Sequence, residues 1–138
     1  MKIGAHIDNS AAGHFVTVET NGAERSITIP SKDGGFGSGI NGGEVLLMAV
    51  ATCYCNDVYR EAARRNITIH RVKVDVSAEF GAEGEPARSI TYSAEIEGDA
   101  SDDEIRELAR HTDTVAEIQN TLRTGVNVIF NGSKDQNV

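Results

Sequence analysis

Alternating apolar and polar residues near the start of the chain predict a β-hairpin. Residues 14–20 are rich in β-branched side chains and partly alternate, and residues 26–30 alternate cleanly. Asn21-Gly22 between them supplies the residue types that favour a turn with positive φ. The glycine-rich stretch that follows, residues 32–43, is interpreted as a connecting loop, with a loop bordering a pocket as the alternative.

A long segment from Glu44 to Arg65 contains no Pro or Gly and predicts a single helix. Its first half, residues 45–51, is apolar all round, which predicts burial on every side. Its second half, residues 56–66, is amphipathic and carries several charges. We therefore expect the helix to start in the core and to end in water.

Two long strands are predicted after this helix. Residues 67–80 and residues 88–97 alternate with a period of two, joined by a turn at residues 81–86. The alternation in the first of them slips by one residue at His70-Arg71. Such a slip indicates a β-bulge or a strand that starts late.

The last third of the chain predicts two short helices and a final strand. Ser101 and Glu104 have the spacing of a capping box, which starts a helix that runs to about His111. A second short helix is expected over residues 115–123, and a strand over residues 126–130. The order ββ-α-ββ-αα-β predicts an α+β fold.

Length and charge narrow the function classes. The 138 residues fit a single domain, residues 1–138, and the net charge of −8 disfavours nucleic acid and anionic membranes as partners. No apolar run is long enough to span a membrane, and the N-terminus lacks the apolar core of a signal peptide. The two cysteines lie within three positions of each other, which favours a reducing cytoplasm over a secreted disulfide scaffold.

The most distinctive chemical feature is a pair of thiols, Cys53 and Cys55, inside the apolar helix. Residues two apart on a helix point about 200° away from each other. This argues against a chelating metal pair, and against a mutual disulfide unless the helix opens. Either both thiols are small core residues, or one is reactive and needs a nearby cation to form its thiolate.

Other candidate sites are weaker. Ser38 lacks the flanking glycines of a nucleophile elbow, and the glycine-rich loop lacks the ending of a phosphate-binding loop. The four histidines stand singly, without metal-ligand spacing: His6, His14, His70 and His111. We therefore expect no metal and no cofactor.

Residues 41–53 resemble the signature of the OsmC/Ohr superfamily, in which a Glu opens an apolar, Ala-rich helix that leads to a reactive cysteine. Here the segment from Glu44 to Cys53 carries that pattern. The similarity extends to the preceding hairpin, to the helix that starts at Ser101 and to residues 120–128, so it covers most of the chain.

The resemblance implies a fold, an assembly and a chemistry. It implies antiparallel β-sheets around a long buried central helix, in an intertwined homodimer with active sites at the subunit interface. It also implies reduction of organic hydroperoxides under oxidative stress: Cys53 attacks the peroxide oxygen and becomes a sulfenic acid. In the family a second cysteine then forms a disulfide with it, and external dithiols restore the reduced state.

The sequence departs from this pattern at several places. Ala116, followed by Glu117, stands where the second cysteine is expected, and Gly42 replaces the signature proline. Gly43 stands where the hydroperoxide-reductase branch has a glutamate that orients an activating arginine, so Glu44 is the candidate for that role. Arg25 is the only arginine in the N-terminal hairpin region and is the candidate activator.

These observations leave three hypotheses, of which the retained Cys53 favours the first. In the first, Cys53 reduces organic hydroperoxides, and an external thiol or Cys55 resolves its sulfenic acid. In the second, the chain keeps the fold but binds a small apolar ligand or another thiol substrate without peroxidase turnover. In the third, it is a structural or stress-related interaction protein, and its thiols serve only packing.

Overall fold

The computed structural model describes residues 1–133 and divides the chain into two compact units, residues 1–46 and residue 47 onward. Within the described residues, no helix is long and apolar enough to cross a membrane. The elements in chain order are β1 (Ile3–Ser10), β2 (Gly13–Thr20), β3 (Ala23–Ile27), α1 (Gly42–Arg64), β4 (Ile69–Phe80), β5 (Ala87–Gly98), α2 (Asp102–Val115) and α3 (Glu117–Thr124).

The first unit contains an antiparallel sheet in the order β1-β2-β3. The predicted hairpin of β2 and β3 is confirmed, and Asn21 and Gly22 adopt positive φ at its turn, but β3 ends at Ile27, whereas the predicted strand covered residues 26–30. The sequence did not predict β1, although it pairs with β2 from Ile3 to Ser10. Gly4, Asp8 and Asn9 belong to residue types that strands disfavour, and pairing with β2 overrides that preference.

Helix α1 begins with a reciprocal pair of hydrogen bonds in the first unit. The backbone N–H of Glu44 donates to Asn41 Oδ1 at 2.8 Å, and the backbone N–H of Asn41 donates to Glu44 Oε2 at 3.0 Å. This is a capping box with Asn as the N-cap residue. It explains why the helix starts at Gly42, two residues before the predicted start.

The core of the second unit forms where α1 packs against α2 and the β4-β5 sheet. Tyr54, Val58 and Ala62 lie on one face of α1 at four-residue spacing and are buried together with Leu108 of α2. Partly buried side chains from one face of the sheet pack against this cluster: Ile69, Val72, Val74, Tyr92, Ala94 and Ile96. Ile67, just before β4, packs against it as well. The ring of Tyr54 meets that of Tyr92 edge to face, with centroids 5.0 Å apart.

Burial along α1 differs from the prediction made from its apolar first half. Val45 is 39% exposed and Met48 is 51% exposed, whereas the charged second half supplies most of the buried positions. The expectation that this second half ends in water was wrong for Asp57 and Glu61, which are both buried. Ion pairs with neighbouring arginines satisfy these two carboxylates, so helical periodicity alone could not identify them as buried.

The predicted phase slip in the first long strand is confirmed. Ile69 pairs with Gly98 and Arg71 with Glu97, so His70 is an extra residue without a partner in the ladder. This bulge allows Ile69 and Val72, three positions apart, to pack against the same core.

The first helix after β5 agrees with the sequence at its start and differs at its end. The capping box at Ser101 and Glu104 is confirmed, but α2 continues past His111 to Val115. Thr112 is fully buried there, which favours the helix through the predicted linker, and its hydroxyl is satisfied by donating to the carbonyl of Leu108 at 2.8 Å.

The predicted final strand over residues 126–130 was wrong. These residues form no strand in the described structure, and Val128 and Phe130 are 95% and 86% exposed. A strand needs a neighbour for its backbone hydrogen bonds, and alternation in a sequence does not supply one.

Candidate active site

The thiol of Cys53 faces two carboxylates. Its Sγ lies 3.6 Å from Oδ2 of Asp57, one helical turn later on α1, and 3.8 Å from Oε2 of Glu117, the first residue of α3. Cys53 is partly buried, Asp57 is buried and Glu117 is exposed. The site is therefore a thiol with one sheltered and one open acidic neighbour.

Arg60 binds the far side of both carboxylates. Its Nη1 lies 2.9 Å from Oδ1 of Asp57 and 3.4 Å from Oε1 of Glu117. Each carboxylate thus presents one oxygen to the guanidinium and the other to the sulfur of Cys53. Arg60 partly compensates the negative charge around the thiol and fixes both acids in place.

Glu61 anchors this arginine from the opposite edge. Its side chain accepts from Nε of Arg60 at 3.0 Å and from Nη1 of Arg64 at 2.8 Å, and His111 Nε2 lies 3.3 Å from its other oxygen. The pKa of the Glu61 carboxyl is lowered, mainly by the hydrogen bond from Arg60 and further by the positive charges of Arg64 and Arg60. Glu61 is therefore ionised at neutral pH.

The pKa of the Cys53 thiol lies above its ordinary value. Burial is the main cause, and the negative charges of Asp57 and Glu117 add to it, while a hydrogen bond from the backbone N–H of Ile118 opposes it. Burial also raises the pKa of Asp57. The pKa of Glu117 is lowered, mainly by a hydrogen bond from the backbone N–H of Glu117 to its own carboxylate. At neutral pH the thiol is mostly protonated, and Asp57 is the acid placed to accept its proton.

The same three side chains could contact one metal ion. One ligand atom from each of Cys53, Asp57 and Glu117 lies within 4.8 Å of the others. The sequence argument against a metal considered only Cys53 and Cys55, which diverge on the helix, and did not foresee ligands from α3. Arg60 already neutralises part of this acidic set.

The other predicted site residues have the following surroundings. Cys55 is a free thiol in an open cleft of about 270 Å³, lined also by Ala51, Thr52, Asn56, Val72 and Val74. Arg25 lies on β3 opposite Val18, and Glu44 belongs to the cap of α1. The resolving role of Cys55, the activating role of Arg25 and the orienting role of Glu44 stay predictions.

Sequence reasoning missed the two acids that contact Cys53 and the ion-pair network behind them: Asp57, Glu117, Arg60, Glu61 and His111. A signal for two of them existed, because Cys53, Asp57 and Glu61 repeat every four residues and so share a helix face. The charges of the second half of α1 were instead assigned to solvent. Glu117 comes from another element, and no spacing in the sequence connects it with Cys53.

A second, smaller cleft lies one turn before Cys53. It has a volume of about 80 Å³ and is lined by Val50, Ile90, Tyr92, Gln119, Leu122 and Arg123. Gln119 donates from Nε2 to the carbonyl of Val50 at 3.2 Å, and its buried Oε1 has no hydrogen-bond partner in the described structure. The walls are thus mainly apolar, with one free acceptor nearby.

Comparison with solved structures finds the same fold in several proteins. An OsmC-like protein from Mycoplasma pneumoniae is 21% identical, with a TM-score of 0.62 over 88% of this chain and 86% of that one. An organic hydroperoxide resistance protein OsmC from Legionella pneumophila is 17% identical, with a TM-score of 0.58 over 89% and 90%. The organic hydroperoxide resistance protein OhrB of Bacillus subtilis is 16% identical, with a TM-score of 0.55 over 89% and 91%.

The family comparison agrees with these structures. None of the curated proteins compared with this sequence matches it. The family model described as OsmC-like protein, however, matches residues 35–131, which include Cys53, Asp57 and Glu117. The chain belongs to the OsmC-like protein family.

Proposed function

We propose that the protein is a thiol-dependent peroxidase that reduces organic hydroperoxides at Cys53, with an external dithiol as its reductant. The observation that carries this proposal is the contact of the Cys53 thiol with Asp57, whose other oxygen is held by Arg60. The printed names of two similar structures, organic hydroperoxide resistance proteins, support the substrate class.

The first step is oxidation of Cys53. Asp57 accepts the thiol proton, and the thiolate attacks the terminal oxygen of the hydroperoxide ROOH. The O–O bond breaks as the S–O bond forms, and its electron pair leaves with the alkoxide. The proton held by Asp57 passes to that alkoxide, so the products are an alcohol ROH and the sulfenic acid of Cys53. The raised pKa of Asp57 suits a group that takes and returns a proton.

The second step is reduction by an external dithiol. One thiol attacks the sulfenic sulfur, releases water and forms a mixed disulfide with Cys53. The second thiol of the same molecule then displaces Cys53, which leaves a cyclic disulfide and the starting thiol. An external reductant is favoured because Ala116 replaces the expected second cysteine and Cys55 points about 200° away on the helix.

Trapping of the sulfenic acid tests the proposed function. Reduced protein is mixed with cumene hydroperoxide and dimedone, and the modified peptide is identified by mass spectrometry. We expect one dimedone adduct per chain, on the peptide that contains Cys53. The proposal fails if Cys53 is modified no faster than free cysteine under the same conditions.

Glu117→Gln is expected to make Cys53 react at lower pH. The Glu117 charge raises the pKa of the thiol, so its removal should shift the midpoint of the rate-against-pH curve downward, by about half a unit or more. The measurement is the rate of iodoacetamide alkylation of Cys53 between pH 6 and pH 10, values chosen to span roughly the ordinary range of thiol titration.

The matched control for this prediction is Glu95→Gln. Glu95 is an exposed carboxylate on β5 that pairs with Arg71, so the variant loses the same charge on the sheet surface. Its midpoint should equal that of the wild type. An unchanged midpoint in Glu117→Gln would contradict the electrostatic account of the site.

A second candidate function is binding of a small apolar ligand without peroxidase turnover. The cleft of about 80 Å³ with walls of Val50, Ile90 and Leu122 favours it, as does the raised pKa of Cys53, which slows any thiolate reaction. This function predicts that an alkyl alcohol stabilises the protein against heat while hydroperoxides leave both thiols intact.

A homodimer and a cytoplasmic location complete the proposal. The exposed apolar residues of α1 and of the segment after α3, such as Met48, Val128 and Phe130, suit burial against a second copy. Two free thiols suit a reducing compartment. Sedimentation equilibrium tests the dimer, which a mass of one chain at micromolar concentration would contradict.

A further inference from the structure

Glu61 is a nearly buried carboxylate to which the proposed reaction assigns no step. It is 4% exposed and lies two helical turns after Cys53. Its partners are three side-chain nitrogens, from Arg60, Arg64 and His111. Burying a charged carboxylate costs desolvation free energy unless its oxygens are paired. The role of Glu61 is therefore to be sought in the groups that its oxygens bind.

Arg60 connects Glu61 to the thiol site. The guanidinium group is planar and its donors form a rigid fork, so fixing Nε also fixes the direction of Nη1. With Nε 3.0 Å from Glu61, Nη1 lies 2.9 Å from Asp57 and 3.4 Å from Glu117. The opposite oxygens of these two acids face the sulfur of Cys53. A continuous path of contacts therefore runs from Glu61 to Cys53.

We propose that Glu61 is a positioning residue that holds Arg60 across Asp57 and Glu117 and thereby sets the reactivity of Cys53. This proposal rests on the proposed peroxidase function, because its consequence is that the rate of Cys53 oxidation depends on Glu61. The groups that face the sulfur are Asp57 from α1 and Glu117 with the Ile118 N–H from α3. If Arg60 loses its contacts with Asp57 and Glu117, the negative charges of the two acids are uncompensated and disfavour the thiolate of Cys53.

The experiment measures the alkylation of Cys53 by iodoacetamide against pH in the Cys55→Ser background, where only one thiol reacts. Glu61→Gln keeps the size of the side chain but removes the charge that attracts Arg60. We expect its midpoint to rise by about half a unit or more. Glu95→Gln, with the same charge change on the exposed face of β5, should leave the midpoint unchanged.

A double-mutant cycle shows whether Glu61 acts through Arg60. Arg60→Lys keeps the positive charge but lacks the fork that reaches three carboxylates, so it should also raise the midpoint. In Arg60→Lys, the further change Glu61→Gln should add little, because the two act along one path. A midpoint that stays constant in either single variant, or two shifts that simply add, would overturn the proposal. If Glu61→Gln unfolds, as judged by circular dichroism, Arg60→Lys decides the question.

The two proposals fail in different ways. Alkylation uses no peroxide, so a midpoint that responds to Glu61 in a protein that does not reduce hydroperoxides would overturn the peroxidase function alone. Normal peroxide reduction, with a midpoint that ignores Glu61 and Arg60, would overturn the positioning role alone.

Discussion

Cys53→Ser is expected to abolish hydroperoxide reduction, with a loss of roughly a thousandfold or more in turnover. A serine side chain fits the space, but peroxides do not oxidise its hydroxyl as they oxidise a thiolate. The measurement is consumption of cumene hydroperoxide with dihydrolipoamide as the reductant. Folding of the variant is checked by its thermal unfolding midpoint, which should remain close to that of the wild type.

Cys55→Ser is the matched control, because it removes the other thiol of the same helix. We expect its turnover to stay within about twofold of the wild type, since its side chain points away from the face that carries Cys53. Equal losses in the two variants would show that Cys55 resolves the sulfenic acid, and would contradict reduction of Cys53 directly by the external dithiol.

Ala116→Cys is expected to give the site an internal resolving thiol. Ala116 is fully buried and is the N-cap residue of α3, next to Glu117, whose carboxylate lies 3.8 Å from Cys53. A thiol at this position should attack the sulfenic acid of Cys53 before dimedone does. After one equivalent of peroxide, mass spectrometry should detect an intramolecular disulfide and at least about tenfold less dimedone adduct, as expected if ring closure outcompetes an external nucleophile.

Two variants control this result. Ala116→Ser introduces a side chain of similar shape without a thiol and should keep the dimedone adduct of the wild type. Ala63→Cys places an additional thiol on an exposed position of α1 and should also keep it. Persistence of the full adduct in Ala116→Cys would show that the start of α3 does not present its side chain to Cys53, and would contradict the alignment of Ala116 with the family's second cysteine.

Local patterns were sufficient to predict most elements of the fold. The hairpin turn at Asn21-Gly22, the capping box at Ser101 and the bulge at His70 each depend on a few adjacent residues, and the structure contains all three. The strand over residues 126–130 was wrong because pairing depends on a distant neighbour, which alternation cannot reveal. The start of α3 shifted from residue 115 to Glu117 for a related reason, since burial of Thr112 against distant residues keeps α2 helical to Val115.

The site was less predictable than the fold. The sequence identified Cys53 through its resemblance to the family, but the partners of the thiol come from two sources. Asp57 lies on the same helix and could have been found by its spacing of four residues. Glu117 reaches the sulfur only because α3 packs beside α1, and that packing depends on the tertiary fold. The sequence argument required a cation near the thiol for a thiolate to form. Arg60 instead binds the acids around the sulfur, and no contact of Arg60 with the sulfur itself is present among the described residues.

Because His70 is an extra residue in β4, the number of residues at this point of the strand matters more than which side chain occupies position 70. His70 is mainly exposed and contacts Asp99, so most substitutions there should be tolerated. Deleting it would instead rotate the preceding residues by one position, and Ile67 and Ile69 would turn from the core to the solvent face. Among related sequences aligned to this one, a gap at this position would therefore indicate a rearranged edge of the sheet, whereas a changed residue would not.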